Sequence, residues 1–325
     1  MALPPSQLIG DLAALGGAGA IVTDLPDGGD AVPGGAVRIG LHRAGRLPTE
    51  GLDAFDILLS ADPAAPRPWV GAASVDEAVA ELLRRIEAQP IAAAVAAQVL
   101  RASLQLTFDD ALAMESLAYS MLLAAGGFAA WRAATLARDR DEPATPRVLI
   151  DVEASIIRLR LNRPDRRNAV DAAMRDALCE ALGFAADHPD RLPIELSGVG
   201  PAFSAGGDLD EFGAASDVGE AHLIRTLRSP AKLLYALRGR ATARLHGACV
   251  GAGIEVPAAA GRVTASPGAC FRLPEVSMGL IPGAGGTATI ARRIGRQRAC
   301  WMAISGADVD AATALAWGLI DAVEP

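Results

Sequence analysis

The sequence has few cysteines, a single lysine and no long apolar run. Its four cysteines are widely spaced and form no CxxC pair, so neither a zinc site nor a disulfide framework is indicated. The longest apolar stretches, such as residues 91–100, are rich in alanine and too short to cross a bilayer. We therefore expect a globular chain with reduced thiols and no membrane partner.

The charge balance disfavours nucleic acid as a partner. The formal net charge is −8 at pH 7, and Lys232 is the only lysine. Non-specific binding of nucleic acid requires a basic surface that displaces counterions. The opening residues, MALPPSQLIGDL, lack a basic segment followed by an apolar one, so the cytoplasm is the expected compartment. The replacement of lysine by arginine is typical of a GC-rich bacterial gene.

The first part of the chain divides into two segments. Strand-like runs at 20–23, 37–42 and 55–60, separated by turn residues, predict an α/β segment over 1–85 to which no role is assigned. A helical region is predicted over 86–140. It follows a helix that starts at a Ser74–Glu77 capping box and stops at Pro90.

The helical region contains three further predicted helices. They cover 91–103, a segment capped by Thr107 that ends at Gly126-Gly127, and 128–137. A charged, proline-bearing linker is expected at 137–147. From there strands and helices alternate, which is typical of an α/β domain over 147–325.

Three segments of this domain place glycines beside an acid. They read FSAGGDL from Phe203, HGACVGAGIEV from His246 and FRLPEVSMGLIPGAGGT from Phe271. Glycine lets backbone N–H groups approach an anion or a developing oxyanion closely. The last segment lacks the Gly-Lys-Ser/Thr ending of a phosphate-binding loop. Each segment alone could be a structural turn, but together they favour catalysis.

With LNRPDRRNA from Leu161 and AWGLIDAV from Ala316, these segments resemble the crotonase family, also called the enoyl-CoA hydratase/isomerase family. The resemblance covers roughly residues 147–325. It implies an α/β fold, a spiral of repeated ββα units with an associated helical region. It also implies an acyl-CoA thioester substrate, no cofactor beyond the coenzyme A of that substrate, and a homo-oligomer, either a trimer or a dimer of trimers.

The resemblance also assigns catalytic groups. The peptide N–H groups of Gly207 and Ala252 would polarise the thioester carbonyl, and Glu255 and Glu275 would hold a water between them. Glu255 lies in an apolar run, where burial should raise its pKa. In the alternative interpretation Glu255 merely caps a helix, and Glu275 pairs with an arginine, Arg272 or Arg292.

The resemblance places coenzyme A along two loops. The predicted contacts are Arg166, Asn168, Ala169, Ala205, Gly206, Asp208 and Leu209. Arg166 and its neighbour Arg167 could meet phosphates or be solvated. Asp208 could instead stabilise its own turn. His246 is interpreted as structural, and no metal-ligand spacing occurs.

The order of segments departs from the family. Residues 92–134, including TFDDALAME from Thr107, look like the helical tail that usually follows the catalytic core. We expect helices 91–137 to pack on the 147–325 core, within one chain or across subunits. Circular permutation and a decayed tandem duplication both explain this order.

Three functions compete. Hydration of a 2-enoyl-CoA, or the reverse dehydration, is favoured because both glutamate positions are occupied. An isomerase or another crotonase-type reaction would use Glu275 alone. A catalytically silent acyl-CoA-binding protein is the third possibility, prompted by the rearranged helices.

Overall fold

A computed structural model describes residues 19–25, 36–135, 137–138 and 145–324. The strands are β1 (Ala20–Leu25), β2 (Val37–His42), β3 (Ile57–Ser60), β4 (Val70–Gly71), β5 (Val148–Glu153), β6 (Ile156–Leu161), β7 (Ile194–Gly198), β8 (Ala241–Leu245), β9 (Ala248–Val250), β10 (Arg262–Ala265), β11 (Cys270–Arg272), β12 (Val309–Asp310) and β13 (Ala322–Val323). The α-helices are α1 (Val75–Ala88), α2 (Pro90–Ser103), α3 (Phe108–Leu123), α4 (Gly126–Ala134), α5 (Ala172–Asp187), α6 (Val218–Leu227), α7 (Pro230–Ala236), α8 (Ala252–Glu255), α9 (Gly286–Ile294), α10 (Arg296–Ser305) and α11 (Ala311–Trp317).

The first four strands form a parallel sheet in sequential order. Its central strands are rich in buried aliphatic residues, as expected for a parallel sheet covered on both faces. All three strands predicted in the first segment are present, although the third begins at Ile57 and not at Phe55. The backbone turns at Phe55-Asp56, where the buried Asp56 carboxylate binds Arg101 of α2 at 2.6 Å.

Strands β5–β13 form two sheets, and from β8 onward the chain contributes strands to both of them. The larger has the order β13-β10-β8-β7-β6-β5 and the smaller the order β12-β11-β9. β8 pairs in parallel with β10 in the first, and β9 pairs in parallel with β11 in the second. The chain bends from β8 into β9 at His246-Gly247 and then enters α8. Repetition of this strand–strand–helix turn is the spiral that the sequence predicts, so the predicted fold is confirmed.

The helix starts follow the predicted caps. Ser74 Oγ accepts a hydrogen bond from Glu77 N at 3.3 Å, and Thr107 Oγ1 accepts one from Asp110 N at 3.2 Å. Pro90 does close α1, but it is also the first residue of α2, a position where its missing N–H has no cost. The prediction that Gly126-Gly127 ends a helix is wrong. α3 already ends at Leu123, and the two glycines begin α4.

The upstream helices pack on the later core within one chain. α2 contacts α9 and α10, α3 contacts α6 and α9, and α4 contacts the short 3₁₀ turn at Glu275–Met278. Ala93, Ala96 and Ala97 of α2 are fully buried, which lets this helix approach its neighbours closely. Buried Ser103 Oγ donates to Thr287 O at 2.5 Å. The predicted packing is therefore confirmed for the described helices, whereas most of the linker at 137–147 lies outside the described residues.

Among the described residues no single helix has both the length and the apolar composition of a membrane span. Helices α3 and α4 have that length and composition only when taken together, and they are bent by 64° relative to each other.

Candidate active site

A cavity of about 560 Å³ opens between α3, α6 and the turns that follow the strands of the spiral. This volume is within the usual range for small-molecule sites. Five residues predicted from the sequence line it: Gly207, Asp208, Ala252, Glu255 and Glu275. The structure thus brings together both predicted glutamates and both predicted amide donors.

The turn from β9 into α8 leaves room for the two glutamates because residue 251 is glycine. Its φ of +49° favours glycine. A Cβ built on Gly251 would collide with Glu275 Oε1 and would lie 3.8 Å from Glu255 Oε1. The two carboxyl groups therefore border the same small space beside this glycine.

Glu255 is held by a loop distant in sequence. Its side chain is 2% exposed, and its Oε2 accepts hydrogen bonds from Ala284 N at 2.8 Å and Gly286 N at 2.9 Å. Burial raises the pKa of this carboxyl to about 7, although the backbone donors act in the opposite direction. Glu255 thus binds the start of α9, a helix other than its own, and also lines the cavity.

Glu275 begins the 3₁₀ turn that follows β11, and it is 7% exposed. Its buried Oε2 has no hydrogen-bond partner among the described residues. Burial is the main cause that raises the pKa of Glu275 well above its usual value, and the charge of Glu255 adds to it. The alternative arginine partners lie elsewhere: Arg272 faces Asp308 at 3.7 Å, and Arg292 donates to Leu106 O.

A third buried glutamate, Glu115 of α3, was not predicted as a site residue. Its carboxylate accepts hydrogen bonds from Gly285 N at 2.7 Å, Thr287 N at 2.8 Å and Thr287 Oγ1 at 2.7 Å. Burial raises the pKa of Glu115 to about 8, and the charge of Glu255 contributes. Helical periodicity could have indicated its burial, because Glu115 occupies the same helical face as buried Ala111 and Leu122.

Two backbone N–H groups of the cavity wall have no acceptor in the part of the chain that the structure describes. In the loop that follows β7, Gly206 O accepts a hydrogen bond from Val170 N, and Asp208 N donates one to Val170 O. Gly207 N, between these two residues, takes part in neither bond. Ala252 N is the first amide of α8, where no intrahelical acceptor exists. Neither amide is therefore occupied by an acceptor from the described residues.

The remaining predicted coenzyme A contacts lie on turns outside the cavity lining. They are Arg166, Asn168, Ala169, Ala205, Gly206 and Leu209. The Asn168 side chain is fully buried and bonds three backbone groups, at Arg163 N, Val199 O and Ala202 O. Arg166 Nη1 lies 3.9 Å from Asp210 Oδ2. Contact of these residues with coenzyme A stays a prediction.

Asp208 and His246 have structural partners. Asp208 Oδ2 accepts from Arg163 Nη1 at 2.6 Å, and its Oδ1 accepts from Asp210 N at 3.0 Å, so it stabilises its own turn while lining the cavity. His246 Nε2 lies 2.9 Å from Gly200 O. Across the described ranges no group of three or more His, Cys, Asp or Glu residues is placed to hold a metal ion.

Comparison with known proteins places this arrangement in a family. The model of the enoyl-CoA hydratase/isomerase family matches residues 151–325. The chain is 31% identical over 173 residues to the mevalonyl-coenzyme A hydratase of Beauveria bassiana, covering 51% of this chain and 62% of that protein. It is 32% identical over 182 residues to the 2,3-dehydroadipyl-CoA hydratase of Escherichia coli, covering 55% of this chain and 69% of that one.

A solved structure agrees. The enoyl-CoA hydratase of Thermoplasma volcanium superposes with a TM-score of 0.52 at 30% identity, covering 55% of this chain and 72% of the other. The match to the Beauveria protein leaves more than a third of that relative's length uncovered. With a family model that spans more than half of its residues and a matching spiral fold, this chain belongs to the enoyl-CoA hydratase/isomerase family.

Proposed function

We propose that the chain hydrates a 2-enoyl-CoA thioester, or dehydrates the corresponding 3-hydroxyacyl-CoA. The observation that carries this proposal is that the Glu255 and Glu275 carboxyl groups both border the space at Gly251. A water held between two carboxyl groups can be deprotonated by one while the other protonates the substrate. The names of the two curated relatives, both hydratases of CoA thioesters, support the same reaction class.

The amides of Gly207 and Ala252 would bind the thioester oxygen. When hydroxide adds to the β-carbon, the electron pair of the α,β double bond moves toward the carbonyl and negative charge develops on that oxygen. Preorganised N–H donors stabilise this charge, and loss of one such donor typically costs about 10²–10³-fold in kcat. Both amides line the cavity that contains the two glutamates.

The environments of the glutamates favour a division of roles. Glu255 accepts two backbone hydrogen bonds, which stabilise its ionised form. Glu275 Oε2 accepts none from the described residues, and its pKa is raised well above the usual value by burial. We infer that Glu255 takes the proton from water and that Glu275 gives its proton to the α-carbon.

The test follows the loss of the conjugated enoyl-thioester absorbance with a series of 2-enoyl-CoAs. Wild-type protein should turn over at least one substrate, and Glu275→Gln should lose activity while still binding acyl-CoA. Glu87→Gln is the matched control, because Glu87 is exposed on α1. Binding without turnover by wild type would support the silent acyl-CoA-binding protein instead.

Glu255→Gln distinguishes the hydratase from the isomerase. A hydratase that uses both carboxyl groups should lose hydration severely in this variant. A reaction that uses Glu275 alone should keep much of its rate, measured as migration of the double bond in a 3-enoyl-CoA. Hydration at the wild-type rate in Glu255→Gln would refute the two-glutamate mechanism.

A further inference from the structure

Arg225 of α6 differs from the other basic residues that line the cavity. Three of those side chains are paired with carboxylates: Arg175 with Asp176 at 2.9 Å, Lys232 with Asp109 at 2.7 Å, and Arg228 with Glu180 at 4.0 Å. Arg225 has no ion-pair partner within the described ranges. It is therefore the lining cation that forms no direct ion pair with the described residues.

The hydrogen bonds of Arg225 use one of its three nitrogens. Nη1 donates to Ser116 Oγ at 2.8 Å, to Ser120 Oγ at 3.1 Å and to Ser116 O at 3.3 Å, and the guanidinium carbon lies 4.6 Å from the Tyr119 ring centroid. Nε and Nη2 donate to no acceptor in the described residues, and neither atom is fully buried. One two-donor edge of the guanidinium is thus accessible.

A purely structural role explains this placement poorly. Burial lowers the pKa of Arg225, because removing the charge from water is unfavourable. A neutral side chain could join α6 to the two serines of α3 without that cost. The Arg225 side chain also lines the same cavity as Glu255 and Glu275.

We propose that Arg225 binds a carboxylate at the far end of the acyl group, so that the preferred substrate is an enoyl-CoA whose chain ends in a carboxylic acid. The proposal rests on the function proposed above and specifies its substrate class. The Nε and Nη2 donors form a fork that matches the two oxygens of a carboxylate. Such a ligand would supply an ion-pair partner to the lining cation that has none within the described residues.

An anionic group at Arg225 could also come from the phosphates of coenzyme A. Substrates of equal chain length separate the two sources, because they share coenzyme A and differ only at the chain end. Turnover is measured with 2,3-dehydroadipyl-CoA and with 2-hexenoyl-CoA. Binding is measured by calorimetry with the saturated pair, adipyl-CoA and hexanoyl-CoA.

Wild type should favour the chain that ends in a carboxylate, both in kcat/KM and in affinity. Arg225→Met should lower kcat/KM for that substrate by about 10- to 100-fold, the range for a hydrogen bond between charged groups. The same variant should leave 2-hexenoyl-CoA within a few-fold of wild type. Arg225→Lys should retain part of the preference, and Arg84→Met, whose side chain lies outside the cavity lining and is 63% exposed, should change neither substrate.

Equal loss on both substrates in Arg225→Met would assign the residue to coenzyme A and overturn the proposal, as would a wild-type preference for the hydrocarbon chain. The proposed reaction can fail separately. If wild type turns over neither enoyl-CoA, tighter binding of adipyl-CoA than hexanoyl-CoA, abolished in Arg225→Met, would still support the carboxylate site. Equal affinities would refute it.

Discussion

Glu115 and Glu255 accept hydrogen bonds from alternate backbone amides of one loop. Glu255 receives those of Ala284 and Gly286, while Glu115 receives those of Gly285 and Thr287. One glutamate belongs to the catalytic spiral and the other to the upstream helix α3. The loop between them leads into α9, so the position of the Glu255 carboxyl depends on both segments.

Glu115→Gln should therefore impair catalysis although Glu115 is proposed neither as acid nor as base. A glutamine offers one acceptor oxygen to a loop that presents two amides and a hydroxyl, and we expect kcat to fall by about tenfold or more. The charge of Glu115 also raises the pKa of Glu275. Its removal should lower that pKa and move the alkaline limb of the kcat profile to lower pH.

The control for this variant is again Glu87→Gln, on the exposed face of α1. Steady-state kinetics between pH 5 and 10 would measure both effects. A wild-type kcat together with an unmoved alkaline limb in Glu115→Gln would show that the loop keeps its position without the glutamate.

Gly251→Ala should abolish most activity without unfolding the protein. The new Cβ would collide with Glu275 Oε1. The alanine would also have to adopt the positive φ of residue 251, a backbone state that costs non-glycine residues about 1–3 kcal/mol. We expect a loss of at least 100-fold in kcat, since the Glu275 carboxyl must move. Exposed Gly268, where a Cβ meets nothing within 4 Å, provides the control Gly268→Ala. Equal activity of the two variants would contradict the inferred contact.

The acid limb of the wild-type kcat/KM profile should lie near pH 7. A base must be ionised to accept a proton, and burial raises the pKa of Glu255 to about 7 from its ordinary value of 4.5. Activity should consequently decrease as the pH falls through that region. The test is to measure kcat/KM at each pH with a 2-enoyl-CoA that can be raised to saturating concentration. An acid limb near pH 4.5 would exclude Glu255 as the base.

Ala96→Leu should destabilise the whole chain and reduce activity with it. Ala96 is fully buried where α2 packs on the core, and inserting larger side chains into a packed interior typically costs about 1–3 kcal/mol. Gln98→Leu, on the exposed face of the same helix, should have little effect. Urea unfolding monitored by circular dichroism measures both. Equal midpoints for the two variants would show that α2 is not part of the cooperative core.

The two glutamates proposed as acid and base could be predicted because the motifs that contain them resemble those of the enoyl-CoA hydratase/isomerase family. Glu255 follows Gly251 by four residues, and Glu275 belongs to the Pro-Glu-Val segment. The same resemblance implied the spiral of strand–strand–helix turns. The proposed division of roles between the two acids required the structure, because it is argued from amides supplied by residues 284 and 286.

Glu115 and Arg225 could not be predicted in the same way. Both lie on helices in which a charged residue is usually solvated. Glu115 acquires its partners from a loop 170 residues away in sequence, and Arg225 acquires its serines from a helix more than 100 residues upstream. The periodicity of α3 indicates that Glu115 is buried, but nothing near either residue in the sequence identifies its partners.

The order of the segments also has a consequence for biosynthesis. Helix α3 leaves the ribosome well before the loop that binds Glu115, since 170 residues separate the carboxylate from Gly285. At ordinary elongation rates this gap lasts on the order of ten seconds or more. During that interval the nascent helices cannot pack against this loop, and we expect their apolar faces to be the part of the growing chain that a chaperone binds first.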